Sequence, residues 1–204
     1  IDKYTLQKSH SESIFGAKVY KISRIGQTRL TYMKITSGAL TVRDEICYLS
    51  EEGVRITEKV SQIRLYSGDK FEQIDTASAG EICAVIGLSS TYVGQGLGLE
   101  QDSQKPLLEP VLSYAIHLPP ECDTRVFFPK LKELEEEEPL LHLMWNEELS
   151  QIEVRLMGEV QTELIKRLIN DRFGIDCTLG AGKILYKEKA ADKAIGVGHF
   201  EPLR

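Results

Sequence analysis

Six basic side chains between residues 13 and 43 are the groups best suited to binding chemistry in this chain, because no acid lies among them. They are Lys18, Lys21, Arg24, Arg29, Lys34 and Arg43. The chain of 204 residues has a net charge of −6, so this positive stretch lies against an acidic background. Closely spaced Lys and Arg side chains bind the phosphates of a nucleic acid. A solvated strand-and-turn face is an equally good explanation from charge alone.

The glycine cluster GQGLG at 94–98 has the composition of a phosphate-binding loop but not its continuation. A nucleotide loop of the Walker type continues with Gly-Lys-Ser or Gly-Lys-Thr at the start of a helix. Here the residues Leu-Glu-Gln-Asp-Ser follow instead. We therefore interpret the cluster as a flexible turn that closes the β-structure before it.

The remaining candidate ligands, which are histidines and clustered acids, do not form a recognisable site. His117 and His142 are predicted on neighbouring strands and could lie close together, but no HExxH or similar spacing is present. The run from Glu135 to Glu138 ends a predicted helix, where negative charge opposes the helix dipole. A solvated face beside a partner explains this run better than a metal site, which needs converging oxygens. The sequence predicts no catalytic, cofactor-binding or metal-binding residue, and therefore no enzyme activity for this chain.

Cysteine usage and hydropathy predict a cytoplasmic protein with no membrane contact. The cysteines at 47, 83, 122 and 177 are too widely spaced for a CxxC motif, and three of them lie in apolar, strand-like surroundings. We expect buried free thiols in a reducing compartment. No apolar run is long enough to span a membrane, and no signal-peptide pattern precedes the first strand. Neither chain end completes a helix or strand, so we expect an excised piece of a longer protein, monomeric in isolation.

The first hundred residues have the pattern of short β-strands separated by turns. The strand-like runs are FGAKVYKI, LTYMKITSG, DEICYLS, VRITEKVSQIRLYSG and GEICAVIGL. Many short strands with regular turn signals and almost no helical pattern predict a small closed barrel. The segment 101–110 is polar at first and contains two prolines, which is typical of a linker between domains.

From Val111 onward the pattern predicts the order β-α-β-β-α-β, a split βαβ sheet with two helices on one side. Asp123 is predicted to cap the first helix, which runs through Glu138 with Phe127, Leu131 and Leu134 on its inner face. Pro129 inside this helix predicts a later start or a kink. The fold class is therefore mainly β followed by α+β, with domains at 1–104 and 105–190 and the truncated start of a further domain at 191–204.

The second helix of this domain follows a strand at 152–156 and one glycine, Gly158. An apolar stripe of Val160, Leu164 and Leu168, widened by Ile165 and Ile169, predicts its packed face. Gly174 is expected to end the helix in a left-handed conformation, and a last strand is predicted over 175–179. RNA-recognition domains share this element order and stack bases on aromatic side chains of their central strands. The strand IEVRLMG has no aromatic residue, so base stacking on this sheet is not favoured.

Both halves of the chain resemble consecutive domains of elongation factor G and its relatives. FGAKVYKI, RLTYMKITSGALTVRDEI and AGEICAVIGL resemble the second domain of this family, a translation-factor β-barrel. EPVLSYAIHLP, LEEEEP, IEVRLMGEVQTELIKRLINDRFGID and ILYKE resemble the third, a ferredoxin-like domain. The tail EKAADKAIGVGHFEPLR is closer to the shorter junction of tetracycline-resistance ribosomal protection proteins than to housekeeping elongation factor G.

The resemblance implies a non-catalytic fragment of a ribosome-binding translational GTPase. Its barrel would contact small-subunit ribosomal RNA, and its third domain would relay between the GTPase domain of the same polypeptide and the fourth domain. No cofactor is expected in the fragment, whereas GTP and Mg²⁺ are expected for the full-length parent. The side chains expected to contact RNA are Arg24, Arg29, Lys34 and Arg43, followed by Lys59 and Arg64. The alternative is a protein-interaction scaffold whose acidic helix docks a partner protein.

Overall fold

A computed structural model describes residues 14–104 and 110–186, which form a β-barrel domain and a smaller α+β domain. The predicted start of a further domain at 191–204 lies outside the described residues. Among the described residues, no helix is long and apolar enough to cross a membrane.

The barrel domain consists of ten strands. They are β1 (Gly16–Ile25), β2 (Thr28–Ser37), β3 (Ala39–Thr41), β4 (Glu45–Leu49), β5 (Arg55–Lys59), β6 (Gln62–Ser67), β7 (Lys70–Ile74), β8 (Thr76–Ser78), β9 (Ile82–Ile86) and β10 (Gly96–Gly98). The main antiparallel sheet has the order β10-β1-β2-β9-β6-β7, and two short antiparallel pairs, β3-β8 and β4-β5, complete the domain. Alternate residues of these strands form one core, to which β1 and β2 contribute Val19, Ile22, Met33 and Ile35.

The long run predicted at 54–68 is two strands rather than one, because the backbone changes partner at Val60 and Ser61. The amide of Val60 donates to the Asp44 carbonyl at 2.9 Å, at the end of the β4-β5 pair. The next amide, of Ser61, donates to the Ile86 carbonyl at 2.8 Å, where β6 joins β9. The two halves of the run therefore belong to different sheets.

The glycine cluster at 94–98 is partly a strand, since β10 pairs with β1 and closes the edge of the main sheet. Gly98 has a φ of +65°, and a Cβ added there would lie 2.1 Å from the carbonyl oxygen of Phe15. Gly68, in the β6–β7 turn, has a similar φ of +63° but open space around it. Glycine is required at 98 by the close approach of two backbone segments as well as by φ.

The second domain has the predicted order β-α-β-β-α-β, with its last strand divided. Its elements are β11 (Leu112–His117), α1 (Thr124–Glu137), β12 (His142–Asn146), β13 (Gln151–Leu156), α2 (Val160–Phe173), β14 (Thr178–Leu179) and β15 (Lys183–Ile184). The sheet order is β12-β13-β11-β14, and β15 also pairs with β11. Ile152, Val154 and Leu156 of β13 are fully buried in the core against the helices.

Helix α1 follows the prediction at its start and on its inner face. The side chain of Asp123 accepts hydrogen bonds from the amides of Arg125 and Val126, and the buried residues are Phe127, Leu131 and Leu134. The helix begins at Thr124 despite Pro129, so the predicted delay is wrong. It ends at Glu137, one residue earlier than predicted.

Helix α2 packs through only part of the apolar stripe that was predicted. Ile165 and Ile169 are buried, whereas Val160 and Leu164 are exposed at 87% and 52%. The stripe that repeats every four residues therefore lies beside the buried face. The helix ends at Gly174 with a φ of 66°, as predicted.

The histidine and cysteine expectations are corrected by strand order and exposure. His117 lies on β11 and His142 on β12, and β13 separates these strands in the sheet.

Cys83 and Cys177 are buried, but Cys47 is exposed, because it points outward from the β4-β5 pair. The Nε of Arg55 donates a hydrogen bond to the Cys47 sulfur at 3.0 Å, and this bond lowers the pKa of the thiol. Not all of the strand cysteines are buried thiols.

Candidate nucleic-acid interface

Two of the six predicted RNA-binding residues, Arg24 and Arg29, lie at the junction between the two domains. They flank the tight turn between β1 and β2, and α1 of the second domain packs against β1 there. Their side chains are only 18% and 10% exposed. The turn therefore places both guanidinium groups against the C-terminal half of α1.

Arg29 uses its whole guanidinium group in this junction. Its Nε donates to Oε2 of Glu136 at 2.8 Å. Its Nη1 donates to the hydroxyl oxygens of Thr31 and Thr91 at 3.1 and 2.9 Å and to the Leu88 carbonyl at 2.7 Å. Its Nη2 donates to the Thr91 carbonyl. Arg29 thus joins the rim of the barrel to the helix of the other domain.

Arg24 and Arg172 extend the junction on the same side. The Nη2 of Arg24 donates to Glu136 at 3.3 Å, and its Nη1 lies 3.9 Å from Glu133. Arg172 at the end of α2 pairs with Glu137 of α1 and donates to the backbone carbonyl of Arg24 at 3.5 Å. The acidic run at the end of α1 was expected to face a partner, and Glu136 meets the chain's own barrel.

The other predicted residues lie away from the junction, in two places. Lys34 on β2 and Arg64 on β6 lie on the outer face of the main sheet, since Met33, Ile35 and Ile63 point into the core. Arg43 is exposed in the turn between β3 and β4, with a φ of 78°. Its amide donates to the Val60 carbonyl, which brings the turn next to Lys59 at the end of β5. The structure does not gather the six residues into one patch.

A row of aromatic rings, which sequence reasoning missed, crosses the outer face that carries Lys34 and Arg64. The row consists of Tyr20, Tyr32, Tyr66 and Phe71, and successive ring centroids are 6.2, 5.6 and 5.5 Å apart. Between Tyr32 and Tyr66 lies β9, where the residue paired with Tyr32 is Ala84. The small side chain lets the two rings meet across the strand. The sequence showed which residues of each strand share a face. It did not show which strands are neighbours in the sheet, and the row of rings depends on that order.

Cations accompany the aromatic row. The guanidinium of Arg64 lies 4.2 Å from the ring centroid of Phe71, and Nζ of Lys21 lies 5.9 Å from that of Tyr32. The strands β1, β2, β9 and β6 contain no Asp or Glu. Among the described residues, Lys21, Lys34 and Arg64 have no carboxylate within ion-pair distance. We call this the tyrosine face, defined by the four rings and these three cations.

The tyrosine face carries no negative charge at neutral pH. Burial raises the pKa of Tyr32 to about 12, and the neighbouring tyrosines add to the shift. Burial also raises the pKa of Tyr20. Tyr20 and Tyr32 are therefore neutral, and the charge of the face comes from its cations.

A separate polar cluster surrounds Glu58 on β5. The backbone amide of Ser89 donates to this carboxylate at 2.7 Å, and the hydroxyls of Ser89 and Tyr48 also donate to it. Burial alone would raise the pKa of Glu58, but these hydrogen bonds outweigh it and hold the pKa below the ordinary value. The cluster ties β5 to the loop after β9 and is structural.

Among the residues that the structure describes, no group of three or more His, Cys, Asp or Glu side chains is placed to hold a metal ion.

Comparison with known families gives the same division of the chain. The family model described as Elongation factor G domain 2 matches residues 15–98, and that described as Elongation Factor G, domain III matches residues 107–181. Each match lies within one of the two structural domains. Together the two models cover most of the chain, in the order in which the domains occur.

Individual relatives extend over nearly the whole chain. Elongation factor G 2 of Syntrophus aciditrophicus (strain SB) is 30% identical over 192 residues, which cover 91% of this chain and 28% of that protein. Tetracycline resistance protein TetP of Clostridium perfringens is 29% identical over 193 residues, covering 93% of this chain and 29% of that protein. The chain therefore spans less than a third of the length of these relatives.

The fold is similar to part of a crystal structure of a protein from Thermus thermophilus. The TM-score is 0.63 at 21% sequence identity, and the match covers 82% of this chain and 26% of that one. At this identity the likeness concerns the fold alone.

Proposed function

Because the chain belongs to the elongation factor G family, of which it carries the second and third domains, we propose that it is the non-catalytic, ribosome-binding part of a translational GTPase. The barrel contacts small-subunit ribosomal RNA, and the α+β domain, which is the third domain of the family, relays between the nucleotide domain and the fourth domain. GTP and Mg²⁺ belong to the nucleotide domain of the parent protein, which acts on ribosomes in the cytoplasm.

The observation that carries the RNA contact is the charge of the tyrosine face. The chain as a whole is acidic, with a net charge of −6, yet Lys21, Lys34 and Arg64 share a face whose central strands contain no acid. Cations without a carboxylate partner remain available to neutralise phosphates. Arg43 and Lys59 form a second, smaller basic site in this proposal. Arg24 and Arg29 are less suited to RNA contact, since Glu136 already compensates their charge.

The observation that supports the relay is the ion-pair junction. Arg29 is bonded to four groups of the barrel rim and to Glu136 of α1 through one rigid guanidinium plane. A planar fork with several fixed acceptors holds a more definite orientation than a flexible Lys would. A displacement of the barrel on the ribosome is then passed to α1, and through it to the second domain.

The scaffold alternative has less support, because the acidic helix already has partners within the chain. Glu136 and Glu137 pair with Arg29 and Arg172, and Glu135 pairs with Lys132 one turn earlier. A basic partner protein would have to displace these contacts. A pull-down that enriches one protein and lacks ribosomes would favour this alternative.

The test of the proposal is sedimentation of the chain with purified small ribosomal subunits. We expect weak binding that declines between about 50 and 200 mM salt, because each neutralised phosphate releases counterions. A Lys34→Gln/Arg64→Gln variant should bind more weakly and show a salt slope that is lower by up to about 2, one unit for each lost phosphate contact.

Lys130→Gln/Arg167→Gln is the matched control, since it removes two exposed cations from α1 and α2 of the other domain, and the Arg167 side chain is 79% exposed. It should bind as the native chain does. Absence of binding by the native chain at low salt would count against the proposed function. Equal loss from the control and the test variant would assign binding to net charge rather than to the barrel.

A further inference from the structure

We propose that the tyrosine face is a stacking platform for unpaired nucleotides, so that the barrel binds single-stranded RNA in preference to a duplex. This inference deepens the proposed function, because it names the surface and the structural state of the RNA that it takes. It rests on ring exposure, on ring spacing and on the position of the cations.

The two ends of the aromatic row are open to solvent. Tyr20 is 45% exposed and Phe71 is 48% exposed, although both are large apolar side chains. Between them, Tyr32 and Tyr66 are half-buried and hold the outer rings in place through tilted ring contacts. The rings are therefore fixed on a sheet rather than carried by a mobile loop. Fixed aromatic rings on a β-surface are the usual means of stacking bases without sequence preference.

The cations are placed to bind the backbone of a stacked strand. Arg64 lies over one face of Phe71, so its guanidinium plane adds a second flat surface on which a base can stack. Lys21 and Lys34 flank the opposite end of the row, near Tyr32 on β1 and β2. A strand that places bases on the rings therefore runs past cations on both sides.

Charge decides between RNA and a protein as the occupant. An apolar protein surface would bury Lys21, Lys34 and Arg64 without a carboxylate from this face to pair with them. A polyanion compensates all three and also covers the rings. A duplex fits less well, because its bases are already stacked on one another and only its phosphates are free.

The experiment measures fluorescence anisotropy of a labelled, unstructured RNA of about ten nucleotides, which lies within the range of strand lengths that such surfaces cover. A mixed-sequence RNA duplex of the same length is the comparison. A Tyr20→Leu/Phe71→Leu variant removes the two exposed rings and keeps apolar volume. Single-strand binding should weaken by at least about 25-fold, because two rings are removed and each lost stacked base costs about 5- to 150-fold. Duplex binding should change by less than about twofold, because phosphate contacts are retained.

Two matched variants separate stacking from general apolar contact. Tyr20→Phe keeps the ring and should bind the single strand as tightly as the native chain. Ile82→Ala removes an apolar side chain that is 54% exposed at the start of β9, and it should also leave binding unchanged. Far-UV circular dichroism and thermal unfolding of each variant check that the barrel is folded.

Three results would overturn the inference. Equal weakening of single-strand and duplex binding would show backbone contact alone. Native-like binding by the Tyr20→Leu/Phe71→Leu variant would exclude the rings and leave the face to a protein partner. Sedimentation with small subunits that is unaffected by this variant, together with no binding of the single strand, would end the inference while the proposed function stands. If the native chain does not sediment with small subunits but still binds the single strand, the proposed function alone is rejected.

Discussion

Replacing Arg29 should destabilise the chain far more than an ordinary surface ion pair would suggest. Arg29→Met keeps the apolar stem and removes the bond to Glu136 together with the bonds to Thr31, Leu88 and Thr91. The backbone carbonyls of Leu88 and Thr91 then lose a donor in a buried site, since these residues are 2% and 3% exposed. The hydroxyls of Thr31 and Thr91 keep their mutual hydrogen bond at 2.9 Å. We expect a loss of about 3–4 kcal/mol in the free energy of unfolding, because buried acceptors left without a partner cost about 1–3 kcal/mol.

The ion pair itself accounts for a smaller part of that loss. Glu136 has a side chain 37% exposed, so solvent screens its charge. Glu136→Gln should therefore cost only about 1–2 kcal/mol. Once Arg29 is gone, the carboxylate of Glu136 keeps only its longer hydrogen bond to Arg24, at 3.3 Å, which solvent screens and which contributes little. The double variant should be about as stable as Arg29→Met alone, with a coupling energy of about 1–2 kcal/mol.

Urea unfolding with two probes measures this cycle. Trp145 is the only tryptophan and lies on β12, so its fluorescence reports the second domain, while circular dichroism reports both. The native chain should give coincident transitions, and Glu136→Gln should separate them, because the junction couples the domains. Glu133→Gln is the control, as this carboxylate is 46% exposed and 3.9 Å from Arg24. It should change stability by less than about 0.5 kcal/mol.

Additive losses in the double variant, within about 0.5 kcal/mol of the sum of the single losses, would refute the reasoning. Coincident transitions in every variant would show that the domains are coupled by contacts other than this junction. Either result would also remove the physical basis proposed for the relay.

Three further outcomes are expected from the structure. Folding lowers the pKa of Glu58, so its carboxylate stabilises the native state above about pH 4.5, and this contribution is lost as the pH falls below that value. Glu58→Gln should therefore lower the urea midpoint at neutral pH. The midpoint of this variant should then fall less than that of the native chain between neutral pH and about pH 3. Gly98→Ala should cost about 2 kcal/mol more than Gly68→Ala in thermal or urea unfolding, because both have a left-handed φ but only the first Cβ meets a backbone carbonyl; equal losses would contradict this account. Cys47 should give the fastest phase with a chromogenic thiol reagent, and Arg55→Gln should slow that phase at neutral pH, since the guanidinium hydrogen bond lowers the pKa of the thiol; an unchanged rate would show that exposure alone sets its reactivity.

Local patterns were reliable guides wherever neighbouring residues alone decide the structure. Asp123 caps α1 and Gly174 ends α2 as predicted, because capping depends on one side chain or one φ within a single turn. The buried face of α2 was predicted wrongly at Val160 and Leu164, since which stripe packs depends on how the helix lies on the sheet. The prediction that His117 and His142 lie on neighbouring strands was also wrong. The alternation of residues within each strand does not determine the order of the strands in the sheet.

The basic stretch shows most clearly what sequence determines and what it leaves to tertiary structure. Residue types and spacing by themselves predicted two domains and their element order, and they located an acid-free positive segment on the first of them. Only the three-dimensional structure divided that segment, directing Arg24 and Arg29 to the acidic end of α1 and leaving Lys34 on an open face. It also assembled Tyr32 and Phe71, from distant strands, into one row with Arg64. The physical reason is that charge and alternation are properties of short segments, whereas partners across a sheet or a domain junction depend on strand pairing and packing between distant parts of the chain.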